Sequence, residues 1–241
     1  MATSPLKDFL VAHLMPEKCY TEFFVNFHLH VPCIKFVLNR IAGFSIILDT
    51  FLAQLLQLLK ILWRQSVEGL CLSSVLLQLY AFSCPVVYAM ANNFPLFAWA
   101  ERLFILAQTA AIAFLTLHYH GQTLTGILLL LGVGGVTYLL GSFAAASVVS
   151  LMQASSLAAL IASKVLQSLT NYRNGHAGQL STLSVFLSWA GSLSVLYVSL
   201  QDTGSFFSIL SHVLSTCLSC VLLAQVLRSR SSTDTTAKKR A

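Results

Sequence analysis

The polar side chains best placed to do chemistry in this sequence are amides buried in apolar runs. Gln54 and Gln57 lie in one such run, and Gln167 ends another. A side-chain amide both donates and accepts, so each suits either a sugar hydroxyl or a backbone group in need of a partner. Asp49 precedes Gln54 by about one and a half helical turns and is the only acid well inside an apolar run. An ionisable group at membrane depth is a functional-site candidate, because burying it uncompensated is costly. The alternative is a carboxylate that reaches the membrane surface. Asn92 reads as a helix cap or a ligand contact. Trp189, in mid-run, reads as core packing or as a stacking platform for a sugar.

Cys19, His28, His30 and Cys33 are zinc-ligand types, but their spacing fits no established metal motif. The two cysteines can instead form a disulfide or stay as thiols. No Ser/His/Asp constellation or phosphate-binding glycine loop is present, and no Asp-x-Asp pair occurs among the eight acids. Metal-dependent sugar transfer needs carboxylates to hold a divalent ion on phosphate. The expectation is a protein that is not an enzyme and holds no cofactor or metal.

The elements that carry these residues are membrane helices. Of 241 residues, 56% are hydrophobic and 9% charged, against about 25% charged in a soluble domain; mean hydropathy is +0.77. A bilayer needs about 20 mainly apolar residues per helix. Seven spans meet that need: Ile41–Leu62, Leu70–Ala91, Phe97–His118, Leu124–Phe143, Ala146–Ser168, Gln179–Ser199 and Phe206–Leu227. The partner implied is the lipid bilayer. The net charge of +6 lies mostly at chain ends and loops, with no basic stripe interleaved with aromatics, so nucleic acid is not expected.

Lys and Arg fall after odd-numbered spans, at Lys60, Arg64, Lys164 and Arg173, and in the tail. The positive-inside rule then places odd loops and the C-terminus in the cytosol and the N-terminus on the far side. An oxidising far-side compartment would favour a Cys19–Cys33 disulfide. Residues 1–36 form an N-terminal tail, with an amphipathic helix expected around Tyr20–Leu29. Lys238 and Lys239, near the end of the chain, read as a dilysine retrieval signal for the endoplasmic reticulum, presented by a flexible Ser229–Thr236 spacer.

The second half repeats the first at an offset of 109. Arg64 matches Arg173, Gly69 matches Gly178, Ala81 matches Ala190, Ser83 matches Ser192 and Tyr88 matches Tyr197. In each copy an apolar run ends in Leu-Gln (Leu56-Gln57, Leu166-Gln167). A polar loop follows, whose glycine, Gly69 or Gly178, suits a backbone closed to other residues. Residues 37–118 and 146–228 therefore form two parallel three-helix units. Residues 119–145 form a linker helix whose Gly132, Gly134, Gly135 and Gly141 permit close packing. Residues 229–241 form the basic tail.

The Leu-Gln-loop-Gly unit resembles the PQ-loop repeat family, which includes sugar transporters of the SWEET type. Strings along the whole chain are similar to its members that act in dolichol-phosphate-mannose utilization. They include Glu17-Lys18-Cys19-Tyr20, His30-Val31-Pro32-Cys33, Asn92-Asn93-Phe94-Pro95, Gln153-Ala154-Ser155 and Asn171-Tyr172-x-Asn174-Gly175-His176. The resemblance implies an endoplasmic-reticulum membrane factor. It would be needed to use dolichol-phosphate-mannose and dolichol-phosphate-glucose in N-glycan precursors and GPI anchors. Its implied partners are those lipids and the glycosyltransferases that use them, and self-association is left open. The alternative is a transporter of a small polar solute. The family's first repeat reads Lys-Leu-Pro-Gln, whereas this chain has Gln54-Leu55-Leu56-Gln57. Loss of the proline is expected to straighten the first span, and loss of the lysine removes a charge at membrane depth.

Overall fold

A chain in hydrocarbon must satisfy its backbone internally, and the apolar runs do so as helices. The computed structural model describes residues 7, 10–11, 14–27, 30–175, 178, 180–201 and 206–238, with side chains as far as Ser231. Among the described residues seven helices are long and apolar enough to cross a membrane: α1 (Val31–Arg64), α2 (Leu72–Ala91), α3 (Ala100–Tyr119), α4 (Thr123–Phe143), α5 (Ala146–Asn174), α6 (Thr182–Gln201) and α7 (Phe206–Lys238). No strand occurs among the described residues. This is an all-α, seven-helix membrane protein.

Within α1–α3 the third helix lies between the other two, and α7 lies between α5 and α6 in the same way. The two units join where α1 packs on α6 and α2 packs on α5. These contacts close a ring in the order α1, α3, α2, α5, α7, α6. The linker α4 stays outside it, against α2 and α3. Ile61, Leu79, Val86, Ile112 and Ala113 form the apolar core of the first unit.

Several boundaries differ from those read in the sequence. α1 begins at Val31, with Pro32 at its start, where a missing N–H costs nothing. The expected tail of residues 1–36 thus contributes the first residues of a membrane helix. Charges at Lys35 and Arg40 hid this start. Helix α7 continues to Lys238, so the expected flexible spacer is helical. The amphipathic helix expected around Tyr20–Leu29 is instead a single turn, Glu17–Tyr20, followed by a π turn, Thr21–Val25; Leu29 lies outside the described residues. A disulfide between Cys19 and Cys33, with Cα atoms 5.4 Å apart, ties this segment to the start of α1.

α1 is also not one uninterrupted α-helix. Asp49–Ala53 forms a π turn between α-helical Val31–Leu48 and Gln54–Arg64. The chain lacks the proline, yet the hydrogen-bond ladder is interrupted one turn earlier. Side chains from two neighbouring helices bond to carbonyls of that turn. Gln108 Nε2 in α3 donates to Phe51 O at 3.5 Å, and Ser184 Oγ in α6 donates to Ala53 O at 2.6 Å. π turns concentrate at functional sites, and this one places Asp49.

Candidate functional site

The two units are stitched by reciprocal bonds. Gln57 lies on α1, and its Oε1 accepts the backbone N–H of Ser181, just ahead of α6, at 2.8 Å. Gln167 occupies the matching place on α5, and its Oε1 accepts the N–H of Cys71, just ahead of α2, at 3.0 Å. The first N–H groups of a helix have no partner within it, so each glutamine caps a helix of the other repeat. Gln167 Nε2 further donates to Gly69 O and to Asn171 Oδ1, each at 2.9 Å.

A second pair repeats the pattern deeper in the bundle. Ser74 Oγ donates to Ser163 O at 2.9 Å, and Ser184 Oγ donates to Ala53 O at 2.6 Å. Gln57 to Gln167, Cys71 to Ser181, Ser74 to Ser184 and Ala53 to Ser163 are all separations of 110. Helices α2 and α6, Leu72–Ala91 and Thr182–Gln201, match at the same offset. The sequence identities had set it at 109, which holds for Gly69 and Gly178 in the loops but is one residue out along the helices.

Those glycines do what their positions require. Both have positive φ, 85° at Gly69 and 50° at Gly178. A side chain on Gly178 would run into the backbone of Glu68 and Gly69, so the two repeat loops touch there.

Inside the ring lie two adjoining hollows with shared walls at Gln54, Gln78, Lys164 and Ser188. One, of about 130 Å³, reaches Gln57 and Gln167. The other, of about 240 Å³, reaches Asp49 and His212. Each exceeds the roughly 10–15 Å³ that one water needs. All six ring helices contribute to the walls.

The charged groups of this cavity are unequal between the repeats. Lys164, on α5, donates from Nζ to Ser219 Oγ at 2.7 Å, Ser215 Oγ at 2.8 Å, Ser192 Oγ at 3.1 Å and Ser215 O at 3.3 Å. Its partner position 110 residues earlier is Gln54. Asp49, on α1, accepts from Ser188 Oγ at 3.0 Å and lies against Gly191, where any added Cβ would collide with its carboxylate. One ammonium and one carboxylate therefore share a hydroxyl- and amide-lined space at membrane depth, without a hydrogen bond or ion pair between them among the described residues. Such a wall can hold a ligand bearing both hydroxyls and an anionic group.

Asp49, Gln54, Gln57 and Gln167 thus come together on one cavity. The structure separates Asn92 and Trp189 from it. Asn92 caps the end of α2, with Nδ2 donating to Tyr88 O at 2.8 Å. Trp189 is half-buried, with its ring 5.8 Å from that of Phe186. Lys164, expected as a loop charge that sets orientation, lies instead inside α5 on the cavity wall. The signal is the spacing of lysine and glutamine: Lys164-Val165-Leu166-Gln167 keeps a lysine three residues ahead of the glutamine, where Gln54-Leu55-Leu56-Gln57 has Gln54. Lys60 likewise lies inside α1, donating to Leu180 O at 2.6 Å. Among the described residues no group of His, Cys, Asp and Glu could hold a metal; His28 lies outside them, and Cys19 and Cys33 are bonded to each other. The Lys238 side chain and Lys239 also lie outside the described side chains.

The first half of this arrangement has a counterpart among known proteins. Residues 38–98 match the family model of the PQ loop repeat. This chain carries a PQ-loop repeat. The matched stretch takes in most of α1, all of α2 and the loop with Gly69. The reciprocal bonds above place Gln167 of the second unit as Gln57 is placed in the PQ-loop repeat. No solved structure matches the chain.

Proposed function

We propose that this chain is an endoplasmic-reticulum membrane protein that supports the use of dolichol-phosphate-mannose and dolichol-phosphate-glucose in assembling N-glycan precursors and GPI anchors. It acts without enzymatic chemistry of its own, beside the glycosyltransferases that consume those lipids. The N-terminus is luminal and the C-terminus cytosolic, with Lys238 and Lys239 acting in retrieval. The strings noted above resemble the mannose-P-dolichol utilization defect 1 protein, and a PQ-loop repeat at residues 38–98 fits that resemblance. The structural observation that carries the reading is Lys164. It is an ammonium held by serine oxygens on the wall of a polar cavity built by both repeats. That is a place for a small head group with hydroxyls and a negative charge.

The test is expression in cells that lack their own dolichol-phosphate-mannose utilization factor. Full-length lipid-linked oligosaccharides and restored surface GPI-anchored protein are expected. Truncated precursors, with the protein folded and in the endoplasmic reticulum, would overturn the reading.

A second reading is a transporter of a small polar solute. It is favoured by the closed ring, which encloses the cavity with walls from both units. Uptake of a labelled polar solute into vesicles, with no effect on glycosylation, would select it.

A further inference from the structure

The charges of the central cavity are few enough to count. Of the described residues that line its two hollows, only Asp49, Lys164 and His212 are ionisable. The repeat itself requires neither the carboxylate nor the ammonium. The places that match Asp49 and Lys164, 110 residues away, are Ala159 and Gln54. One unit is thus built without the ammonium and the other without the carboxylate. Both charges nevertheless stand at membrane depth, where an ionised group is costly to bury.

Helix α6 sets the distance between them. Ser188 Oγ donates to Asp49 Oδ1 at 3.0 Å, and Ser192 Oγ, one turn further on, accepts from Lys164 Nζ at 3.1 Å. Each charge bonds to serine rather than to the other, and both line the same hollow. A helical turn rises about 5.4 Å, so an anion resting on Lys164 would lie on the order of 10 Å from the Asp49 carboxylate. The other groups that hold Lys164 Nζ come from Ser215 and Ser219 and carry no charge. One ammonium therefore offsets one negative charge, and a second would meet the carboxylate. Like charges that close repel appreciably where protein replaces water.

We propose that Asp49 sets the charge of the ligand this cavity accepts: a hydroxyl-bearing anion with a single negative charge, a glycosyl phosphodiester, in preference to a phosphomonoester with two. Lys164 takes a phosphate oxygen. Asp49 accepts from a sugar hydroxyl and turns away a second negative charge. This rests on the function proposed above and deepens it by naming the ligand class. The head of a polyprenyl glycosyl phosphate and a free glycosyl phosphodiester share this chemistry.

Methyl mannosyl phosphate and mannose 1-phosphate differ by one methyl group. The diester has one charge, whereas the monoester, whose second ionisation lies near 6, has close to two at pH about 7.5. Histidine ordinarily titrates near 6.5, so this pH also keeps a histidine charge out of the count. Binding is measured by titration calorimetry on the full chain in phosphatidylcholine nanodiscs. The diester is expected to bind about tenfold or more tightly than the monoester. The preference should largely vanish in Asp49→Asn, whose amide oxygen can still accept from Ser188, and in a second neutral variant, Asp49→Ser.

Equal binding of the two probes by the parent chain, tighter binding of the monoester, or no binding of the diester would overturn the proposal. So would a preference that persists undiminished in either folded variant. A short prenyl ester of mannosyl phosphate separates the sources. Tighter binding than the methyl ester supports a lipid head, equal binding supports a free solute, and both keep the charge rule. Restored glycosylation without a preference between the probes would overturn this inference alone. Charge selection without restored glycosylation would leave it standing and overturn the pathway reading.

Discussion

Gln57 and Gln167 perform the same task for each other's repeat: each accepts the backbone N–H that opens the other unit's middle helix. Both side chains are buried, at 9% and 7% exposure. Leucine at either position would leave a buried N–H unpaired, at a cost of about 1–3 kcal/mol. Nε2 of Gln167 also bonds Gly69 O and Asn171 Oδ1, so Gln167→Leu removes those bonds as well. Thermal unfolding of the purified protein in detergent checks the size of each loss.

Gly191 admits the Asp49 side chain to the surface of α6. Alanine there would place a Cβ against Asp49 Cβ, Cγ and Oδ2. Gly191→Ala should lower stability by about 1–3 kcal/mol, as overpacking does. Adding Asp49→Ala should restore only part of this, because Asp49 Cβ itself would sit 2.6 Å from the new methyl. Melting temperatures of the single and double variants test the geometry; full restoration would place the clash in the carboxylate alone.

The seven helices were legible because hydropathy sets them, and the Leu-Gln pairs were legible because both copies keep them. The rest depended on contacts. In a span that begins at Ile41, Asp49 reads as an acid well inside the run, with a carboxylate that reaches the membrane surface as the alternative. Only the ordered segment from Val31, anchored by the Cys19–Cys33 bond, shows how deep it lies. The π turn at Asp49–Ala53 has no sequence signature, since its carbonyls bond to Gln108 and Ser184 from distant parts of the chain. A one-residue error in the repeat offset hid the pairing of Lys164 with Gln54. Identities in an apolar chain arise by composition as well as by descent. The bonds of Ser74 and Ser184, by contrast, admit only the offset of 110.

The cysteines offer a count. Cys71, Cys84, Cys217 and Cys220 are free, and Cys19 and Cys33 are joined. Alkylation of the denatured protein should modify four residues before reduction and all six after it. Six before reduction would mean that the N-terminal segment is not tied to α1. Mass spectrometry of the intact chain reads the difference directly.

Lys164 bears the central claim, that function resides in the cavity between the repeats. Lys164→Gln reproduces the residue at the matching place in the other repeat, Gln54, and an amide can still bond to Ser215 and Ser219. The variant should therefore reach the membrane folded, with a melting temperature near that of the parent. The decisive measurement is the size of lipid-linked oligosaccharides in factor-deficient cells expressing either protein at equal level. The parent is expected to restore full-length precursors, and Lys164→Gln to leave mostly truncated ones. Full-length precursors with both proteins, or truncated precursors with both, would contradict the account.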